Sequence, residues 1–375
     1  MTEPSEATGT TDREADDGDR AGRADDADAA LVAAAVPAEP LRRWLADHVP
    51  HAGDGPLRVT KLAGGRSNLT FRLQDGRHDW VLRRPPLGPL LATAHDVGRE
   101  ARVQAALAAT DVPVPRIVAA CDDPDVIGAP FYVMGHLDGV VYADADCVGH
   151  LTAAHARAAS DELVDVLARL HAVDPAAVGL ADFGRPAGFL ERQVRRWRTQ
   201  WERSTDREVP VVEEVATRLA RALPPEQPPA IVHGDYSFNN TIWFRDRPGR
   251  MQAVLDWEMS TLGDPLTDLG MLLTYWGPVG EVMWRDRPPQ PHRAGPGFPD
   301  ADTLVERYGA TSGRSLDHLA FYRVLATYKL AVIAEGAAAR LAASGPDGAA
   351  RAARTRGTTD HLAAMALDQA RAAGL

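Results

Sequence analysis

Apolar residues in the middle of the chain form three short runs separated by polar segments. Ile231–Val232 precedes a polar loop, Thr241–Trp243 follows it, and Ala253–Leu255 ends directly before Asp256. Short runs of this kind, rich in β-branched residues, are typical of buried strands. The pattern therefore predicts that this loop and the residue after the third run lie at one edge of a small sheet.

Other segments show the periodicities of strands and of amphipathic helices. Strands are predicted at 57–62, 69–73, 80–84 and 130–134, and helices at 39–49, 97–107, 161–171, 189–203 and 319–333. The helix over 161–171 presents leucines and valines on one face and is expected to support the polar loop. Residues 275–300, rich in Pro and Gly but containing Trp and Phe, are interpreted as a long lid loop.

The polar loop reads HGDYSFNN at residues 233–240, and its chemistry suggests phosphoryl transfer. In kinase-type sites an Asp such as Asp235 orients the attacking hydroxyl, while an Asn five residues later and a second Asp hold Mg²⁺. Asn240 and Asp256 match those two positions. Taken singly, each of the three is more often a turn or capping residue than a catalytic one. Their order and spacing favour the catalytic interpretation.

Composition limits the remaining possibilities. The chain has 375 residues, of which 45% are hydrophobic and 25% charged, enough for two lobes with a substantial core. Two cysteines without metal-ligand spacing fit a reducing cytoplasm. No apolar run reaches the ~18 residues of a membrane span, and the N-terminus does not have the composition of a signal peptide.

Acidic residues are concentrated at the N-terminus. The first thirty residues contain ten Asp or Glu against three Arg, out of a net charge of −11 for the whole chain. This stretch lacks aromatic residues and apolar periodicity, so residues 1–35 are predicted to be a disordered acidic tail. The remainder is only mildly acidic and has no basic nucleic-acid motif, which argues against a nucleic-acid-binding module.

The loop 233–240, the LDWE segment at 255–258 and the LGDPLTDLG segment at 262–270 together resemble the aminoglycoside phosphotransferase family. Within this family, the residues of the three motifs are similar to those of the phosphotransferase domains that are fused to acyl-CoA dehydrogenases in some proteins. The resemblance implies an α+β, two-lobed, protein-kinase-like fold. It assigns 36–137 to a small N-lobe with an antiparallel sheet, and 138–375 to a larger, mainly helical C-lobe.

The resemblance also implies roles for residues of the N-lobe. Kinases carry a phosphate-binding Lys on the strand that here reads WVLRR at 80–84, but the only two lysines of this chain lie elsewhere. Arg83 takes that place, with Glu100 as its ion-pair partner. Replacing Arg84 is expected to have little effect on the Michaelis constant for ATP. The nucleotide-binding residues implied by the family pattern are Gly64, Gly65, Ser67, Asn68, Arg83, Glu100, Met134 and His136.

The function implied is transfer of the γ-phosphate of ATP, with Mg²⁺, to a hydroxyl of a small molecule. A hydroxyacyl-CoA or hydroxy acid is the leading phosphoryl acceptor, and the alternatives are an aminoglycoside or amino alcohol, or a regulatory pseudokinase. One helix bears on the choice, because 189–203 carries five arginines around an aromatic face. They form either a solvated basic surface or a site for an anionic substrate.

Overall fold

The computed structural model of the chain describes residues 26–52, 55–62, 68–88, 96–205, 207–285, 288–293, 295 and 297–375. The chain separates into two compact units. Unit 1 comprises the residues up to Arg102 together with Arg116–His136, and unit 2 comprises Val103–Pro115 and Leu137–Leu375. None of the helices in the described ranges combines the length and apolarity needed to cross a membrane.

Unit 1 is built around a five-stranded antiparallel sheet. Its strands are β1 (Arg58–Lys61), β2 (Leu69–Gln74), β3 (Asp79–Arg84), β4 (Ile117–Cys121) and β5 (Phe131–Gly135). They lie in the order β1-β2-β3-β5-β4, and every neighbouring pair is antiparallel. Its helices are α1 (26–35), α2 (Ala38–His48) and the first turns of α3 (Val97–Leu107).

Alternation along β3 sends consecutive side chains to opposite faces of the sheet. Trp80 and Leu82 join the apolar cluster that also contains Leu41 and Leu45 of α2. Val81 joins a second cluster with Val97 at the start of α3. Because side chains alternate between the two faces of the sheet, Arg83 and Arg84 at the end of β3 lie on opposite faces and have different surroundings.

Helix α1 corrects the prediction of a disordered tail over 1–35. Residues 26–35 are helical, and Ala35 is fully buried with Val36 in the core of unit 1. Asp28 also forms an ion pair with Lys61, 2.8 Å from Nζ to Oδ1. The acidic composition concealed the apolar residues at the end of this segment. Residues 1–25 lie outside the described residues.

Unit 2 is mainly helical, as predicted for 138–375. Its helices are α4 (Ala145–Val148), α5 (Ala153–Ala172), α6 (Phe189–Ser204), α7 (Pro210–Arg221), α8 (Leu266–Trp276), α9 (Pro278–Met283), α10 (Ala301–Ser312), α11 (Leu319–Ala342) and α12 (Pro346–Ala372). Its strands are β6 (Gly139–Val140), β7 (Ala230–Val232), β8 (Thr241–Phe244), β9 (Met251–Val254) and β10 (Thr261–Gly263).

Two small antiparallel sheets of unit 2 position the polar loop. One pairs β10 with β7, and the other has the order β6-β8-β9. The buried face of α5, which includes Leu163, Val166 and Leu167, packs in the same core. The buried hydroxyl of Tyr236 donates to the carbonyl of Leu163 across 2.8 Å. The loop that joins β7 to β8 is thus anchored to α5, as the apolar stripe predicted.

The predicted lid loop over 275–300 is wrong in its first part. Helix α8 continues through Trp276, and α9 begins at Pro278. Proline is well suited to the first position of a helix, because its missing N–H has no partner there. In this segment Pro278 begins a helix, although prolines in the sequence indicated an irregular loop.

Candidate active site

The main chain of the loop after β7 is fixed by a buried carboxylate. Asp268, on α8, accepts the backbone amide of His233 through Oδ2 at 2.6 Å and that of Gly234 through Oδ1 at 2.7 Å. Gly234 has φ = +88°, and a β-carbon there would lie 2.7 Å from the carbonyl oxygen of Met259. Only glycine fits both this left-handed conformation and this close approach.

The carboxylate of Asp268 is itself held by His171 at the end of α5. His171 Nε2 lies 3.2 Å from Oδ2 of Asp268, and its Nδ1 lies 2.7 Å from the hydroxyl of Tyr308. A carboxylate can only accept, so Nε2–H donates to Asp268 and the Tyr308 hydroxyl donates to Nδ1. Burial lowers the pKa of His171, despite the opposing effect of Asp268. His171 is therefore a neutral structural residue.

The ring of His233 is engaged in the same way. Its Nε2 donates to the carbonyl of Leu255 across 2.8 Å, and its Nδ1 accepts the amide of Asp235 at 3.2 Å. Neither nitrogen is left to remove a proton from a substrate. The ring connects the loop to the end of β9 and braces it there.

The carboxylate of Asp235 is oriented by two side chains. The hydroxyl of Tyr275 donates to Oδ1 at 3.0 Å, and Asn240 Nδ2 donates to Oδ2 at 3.1 Å and to the main-chain oxygen of Asp235 at 2.8 Å. Burial and the neighbouring Asp235 raise the pKa of Tyr275 well above its ordinary value, so the phenol remains a donor. Each carboxylate oxygen thus has one fixed donor.

Asn240 and Asp256 lie at the same end of the β8–β9 hairpin. Thr241 pairs with Val254, and the amide of Leu255 donates to the carbonyl of Asn240 at 2.8 Å. Asp256 has left-handed backbone angles, φ = +63° and ψ = +64°, which are uncommon for a residue with a β-carbon. Such backbone conformations are found preferentially at functional sites. The structure therefore brings together Asp235, Asn240 and Asp256, as predicted.

Lys329 was not predicted at this site. It comes from α11, and its Nζ donates to the carbonyl of Gly234 across 2.6 Å, next to Asp235 in the chain. The ammonium also lies 5.5 Å from the ring centre of Trp197 on α6. Burial lowers the pKa of Lys329, while the Asp235 and Asp268 carboxylates act in the opposite direction.

In unit 1, a buried carboxylate gathers the predicted nucleotide residues. Glu100 is almost fully buried and lies 3.2 Å from Nε of Arg83, so the predicted ion pair is present. Asn68 donates to Oε1 of Glu100 at 2.5 Å, and the Tyr132 hydroxyl donates to Oε2 at 3.0 Å. Tyr132 was not predicted. Gly64, Gly65 and Ser67 lie outside the described residues.

Comparison with known proteins establishes the relationship of this chain. Residues 58–288, more than half of the chain, match the family model described as the phosphotransferase enzyme family. The chain belongs to that family. A solved structure from Ralstonia eutropha, assigned to the aminoglycoside phosphotransferases, is 31% identical, with a TM-score of 0.75 over 89% of this chain and 98% of its own. The predicted α+β kinase-like fold is thereby confirmed.

Two further comparisons differ in extent. Acyl-CoA dehydrogenase family member 11 of Rattus norvegicus is 35% identical over 311 residues, which are 80% of this phosphotransferase chain but only 39% of the relative's length. A thermostable mutant of aminoglycoside phosphotransferase APH(4)-Ia, solved with AMP-PNP and hygromycin B, has a TM-score of 0.56 and 16% identity, covering 87% of this chain and 98% of its own. At that identity the likeness concerns the fold alone.

The other two predicted nucleotide residues of the phosphotransferase lie at the end of β5. Met134 pairs with Val81, while the amide of His136 donates to the carbonyl of Asp79 at 3.1 Å. The His136 amide is therefore engaged within unit 1.

Arg84 has a structural role in this phosphotransferase that was not predicted. It is buried, and its guanidinium donates to the carbonyls of Ala35, Ile127 and Pro85. Arg84 shares the face of Trp80 and Leu82, whereas Arg83 points to the face of Glu100. Replacing Arg84 is thus expected to destabilise unit 1 and cannot serve as a neutral control.

The five arginines of α6 do not form one uniform basic surface. Arg192 donates to main-chain carbonyls, Arg195 pairs with Glu191, and Arg198 pairs with Glu213 at 2.7 Å. Val194, Trp197 and Trp201 form the buried face, as predicted. Among these arginines, Arg196 lies 5.7 Å from the ring centre of Trp197, the indole that also contacts Lys329.

Proposed function

We propose that this chain is an ATP- and Mg²⁺-dependent phosphotransferase that phosphorylates a hydroxyl group of a small molecule. The observation that carries the proposal is the carboxylate of Asp235, whose two oxygens accept hydrogen bonds from Tyr275 and Asn240. A carboxylate fixed in this way is suited to orient a hydroxyl and to accept its proton.

In the proposed reaction the acceptor hydroxyl donates a hydrogen bond to Asp235. The hydroxyl oxygen forms a bond to the γ-phosphorus as the bond between that phosphorus and the β,γ-bridging oxygen breaks. The hydroxyl proton passes to Asp235, and ADP leaves with the bridging oxygen. Because this chemistry depends on positioning and charge stabilisation, the donors around Asp235 are as important as the carboxylate itself.

Asn240 and Asp256 are the proposed protein ligands of Mg²⁺. Asn240 directs its amide nitrogen to Asp235, so its Oδ1 is the atom suited to a hard cation. Among the described residues no group of three or more His, Cys, Asp or Glu has metal-binding geometry. That fits Mg²⁺, which commonly takes one or two protein ligands together with phosphate oxygens and water. When bound, it would offset the negative charge of the phosphates.

From unit 1 we propose Arg83 as the residue that contacts the nucleotide phosphates, with Glu100 fixing its position. Arg83 is mostly buried and Glu100 is almost entirely so, which favours a defined guanidinium orientation. Asn68 bonds to the same carboxylate, and we assign it together with Gly64, Gly65 and Ser67 to the phosphate-covering loop. We propose that backbone groups at Met134 and His136, at the end of β5, contact the adenine.

For the phosphoryl acceptor we propose a hydroxyacyl-CoA or a hydroxy acid. Support comes from the relative named as an acyl-CoA dehydrogenase family member, although this chain matches only 39% of its length. An aminoglycoside or amino alcohol is the alternative, and it is suggested by the Ralstonia eutropha structure assigned to the aminoglycoside phosphotransferases. A regulatory pseudokinase is a third candidate, suggested by the replacement of the usual lysine by Arg83.

The deciding test is phosphate transfer from γ-labelled ATP to a panel of hydroxy acids, hydroxyacyl-CoA esters and amino alcohols. Asp235→Asn is expected to lower turnover by about 10²- to 10⁴-fold and to leave ATP affinity unchanged, since the residue acts on the phosphoryl acceptor. Asp256→Ala is expected instead to abolish Mg²⁺-dependent ATP binding, measured by calorimetry.

Asp246→Asn, at an exposed turn, is the matched control and should retain full turnover. If Asp235→Asn kept more than about a tenth of the parent rate, a barrier change below ~1.4 kcal/mol, the catalytic assignment would be rejected. ATP binding without transfer to any member of the panel would favour the pseudokinase.

A further inference from the structure

Lys329 lies beside the loop that carries Asp235, and a second cationic group, Arg196, lies near the same tryptophan ring as Lys329. Lys329 Nζ donates to the Gly234 carbonyl, and both cations lie within 6 Å of the Trp197 ring centre, at 5.5 and 5.7 Å. Helix α6, which carries Arg196 and Trp197, packs against α11, which carries Lys329. All of these groups belong to unit 2.

In the part of the chain that the structure describes, neither cation forms an ion pair with a carboxylate. Lys329 is half-buried and is bonded to a neutral carbonyl, which leaves its charge uncompensated at close range. Burying a cation without an anionic partner costs free energy, and a second cation nearby adds to that cost. Asp235 and Asp268 favour the charged ammonium from farther away, and Arg196 disfavours it.

The other arginines of α6 either have bonding partners or lie farther along the helix. Arg195 and Arg198 have glutamate partners, and Arg192 is bonded to main-chain carbonyls. Arg203 is exposed and lies nearly two turns beyond Arg196 on the helix, where it provides a comparison. The positive charge near Asp235 is therefore local.

We infer that Lys329 and Arg196 form a subsite that binds an anionic oxygen group of the phosphoryl acceptor, close to the hydroxyl that Asp235 orients. This inference rests on the proposed function and narrows it to anionic acceptors, since a cationic amino alcohol or aminoglycoside is repelled there. The anionic group is either the carboxylate of a free hydroxy acid or a phosphate of a coenzyme A ester.

Two matched pairs of probes distinguish these sources. The first pair is 3-hydroxybutyrate and its methyl ester, which differ by the carboxylate charge. The second is 3-hydroxybutyryl-CoA and the N-acetylcysteamine thioester of the same acid, which differ by the CoA phosphates. We expect the parent protein to favour the anionic member of one pair by at least about tenfold in kcat/KM, as expected of a charge-assisted hydrogen bond.

Lys329→Met is expected to reduce that preference by about tenfold, whereas Lys329→Arg should retain most of it. Arg196→Gln should reduce it by about threefold, with less effect at high salt, because the guanidinium is exposed. Arg203→Gln is the matched control and should leave it unchanged. A lysine that only braced the Gly234 carbonyl would lower all four rates equally, and unchanged ratios in Lys329→Met and Arg196→Gln would overturn the inference.

Failure of the proposed function gives a different result. If the parent transfers phosphate neither to the four probes nor to any other member of the acceptor panel, the proposed function is rejected, and calorimetric binding of the four probes then decides the subsite. The subsite is supported if the anionic member of a pair binds more tightly than the neutral member and if this difference becomes smaller in Arg196→Gln. Equal affinities within both pairs, or no binding, overturn the subsite. Should Lys329→Met fail to fold, the exposed Arg196 position still provides the test.

Discussion

The two units each contain a buried carboxylate surrounded by donors, but the donors are of different kinds. Asp268 of unit 2 accepts two main-chain amides and the ring of His171. Glu100 of unit 1 accepts hydrogen bonds from the side chains of Asn68 and Tyr132 and forms an ion pair with Arg83. The first carboxylate fixes the path of the chain, and the second fixes the position of side-chain groups.

This difference indicates how each unit should respond to substitution. Main-chain amides cannot change rotamer, so loss of Asp268 leaves buried N–H groups without a partner and alters the loop that carries Asp235. Side chains around Glu100 can rearrange, since each has its own rotatable bonds. We therefore expect a loss of stability from changes at Asp268 and a loss of binding from changes around Glu100.

Asp268→Ala should give the largest effect. We expect the free energy of unfolding to fall by about 3–5 kcal/mol, measured by urea denaturation, because a charged buried network loses its central acceptor. Asp268→Asn should cost less, as its amide oxygen can still accept one main-chain N–H. The exposed control Asp246→Ala should change stability by less than about 0.5 kcal/mol. A loss below about 1 kcal/mol for Asp268→Ala would contradict the bracing role.

Arg83→Ala tests the side-chain cluster of unit 1. We expect the Michaelis constant for ATP to rise by about tenfold, the effect of losing one charge-assisted contact, with a smaller change in stability. Arg58→Ala is a suitable control, since Arg58 is exposed on the edge strand β1 of the same sheet. Arg83→Lys shows whether charge alone suffices. Equal Michaelis constants in the Arg83 and Arg58 variants would exclude Arg83 from nucleotide binding.

His292 allows a test of unit 2 by pH, because its imidazole is a titrating group stacked on an aromatic ring. It packs on Trp276 at 4.5 Å between ring centres, and burial lowers its pKa from 6.5 to about 4. The unfolded chain binds a proton there below pH 6.5 while the folded chain does not, so stability falls as pH decreases toward 4.

Between pH 7 and 5 this residue should contribute a loss of roughly 2 kcal/mol in the parent protein. His292→Gln should remove that part of the pH dependence, measured by urea denaturation at both pH values. His150→Gln, at an exposed position, should keep the parental slope. A His292→Gln variant with the same slope as the parent would show that the imidazole titrates normally.

Local spacing explains why much of the site could be predicted from the sequence. Asp235 and Asn240 lie in one loop, and Asp256 follows the next strand, so their order is visible without tertiary information. Tyr275 lies 40 residues from Asp235, on an apolar helix, and Lys329 lies 95 residues from Gly234. No periodicity relates such distant positions, because packing of α8 and α11 alone brings them together.

Arg84 is a case in which the sequence contained the information. Arg84 lies two residues after Leu82 and four after Trp80, so alternation along β3 places all three on the same buried face. Similarly, Val36 and the residues before it carry enough apolar character to extend the fold beyond the predicted boundary of the tail. At Arg84 and in the acidic segment before Val36, the charged residues led to the prediction of an exposed or disordered position. The hydrophobic pattern was the better guide to the structure in both cases.

The close approach of Gly234 to Met259 also determines where sequence diversity can be introduced. A library built to change acceptor preference should leave His233 and Gly234 constant. A residue with a β-carbon at 234 would be strained at the positive φ and would collide with the main chain of Met259. Variation is better placed at Arg196, which is exposed on the regular helix α6. The acceptor side of the enzyme can thus evolve while the turn preceding Asp235 stays fixed.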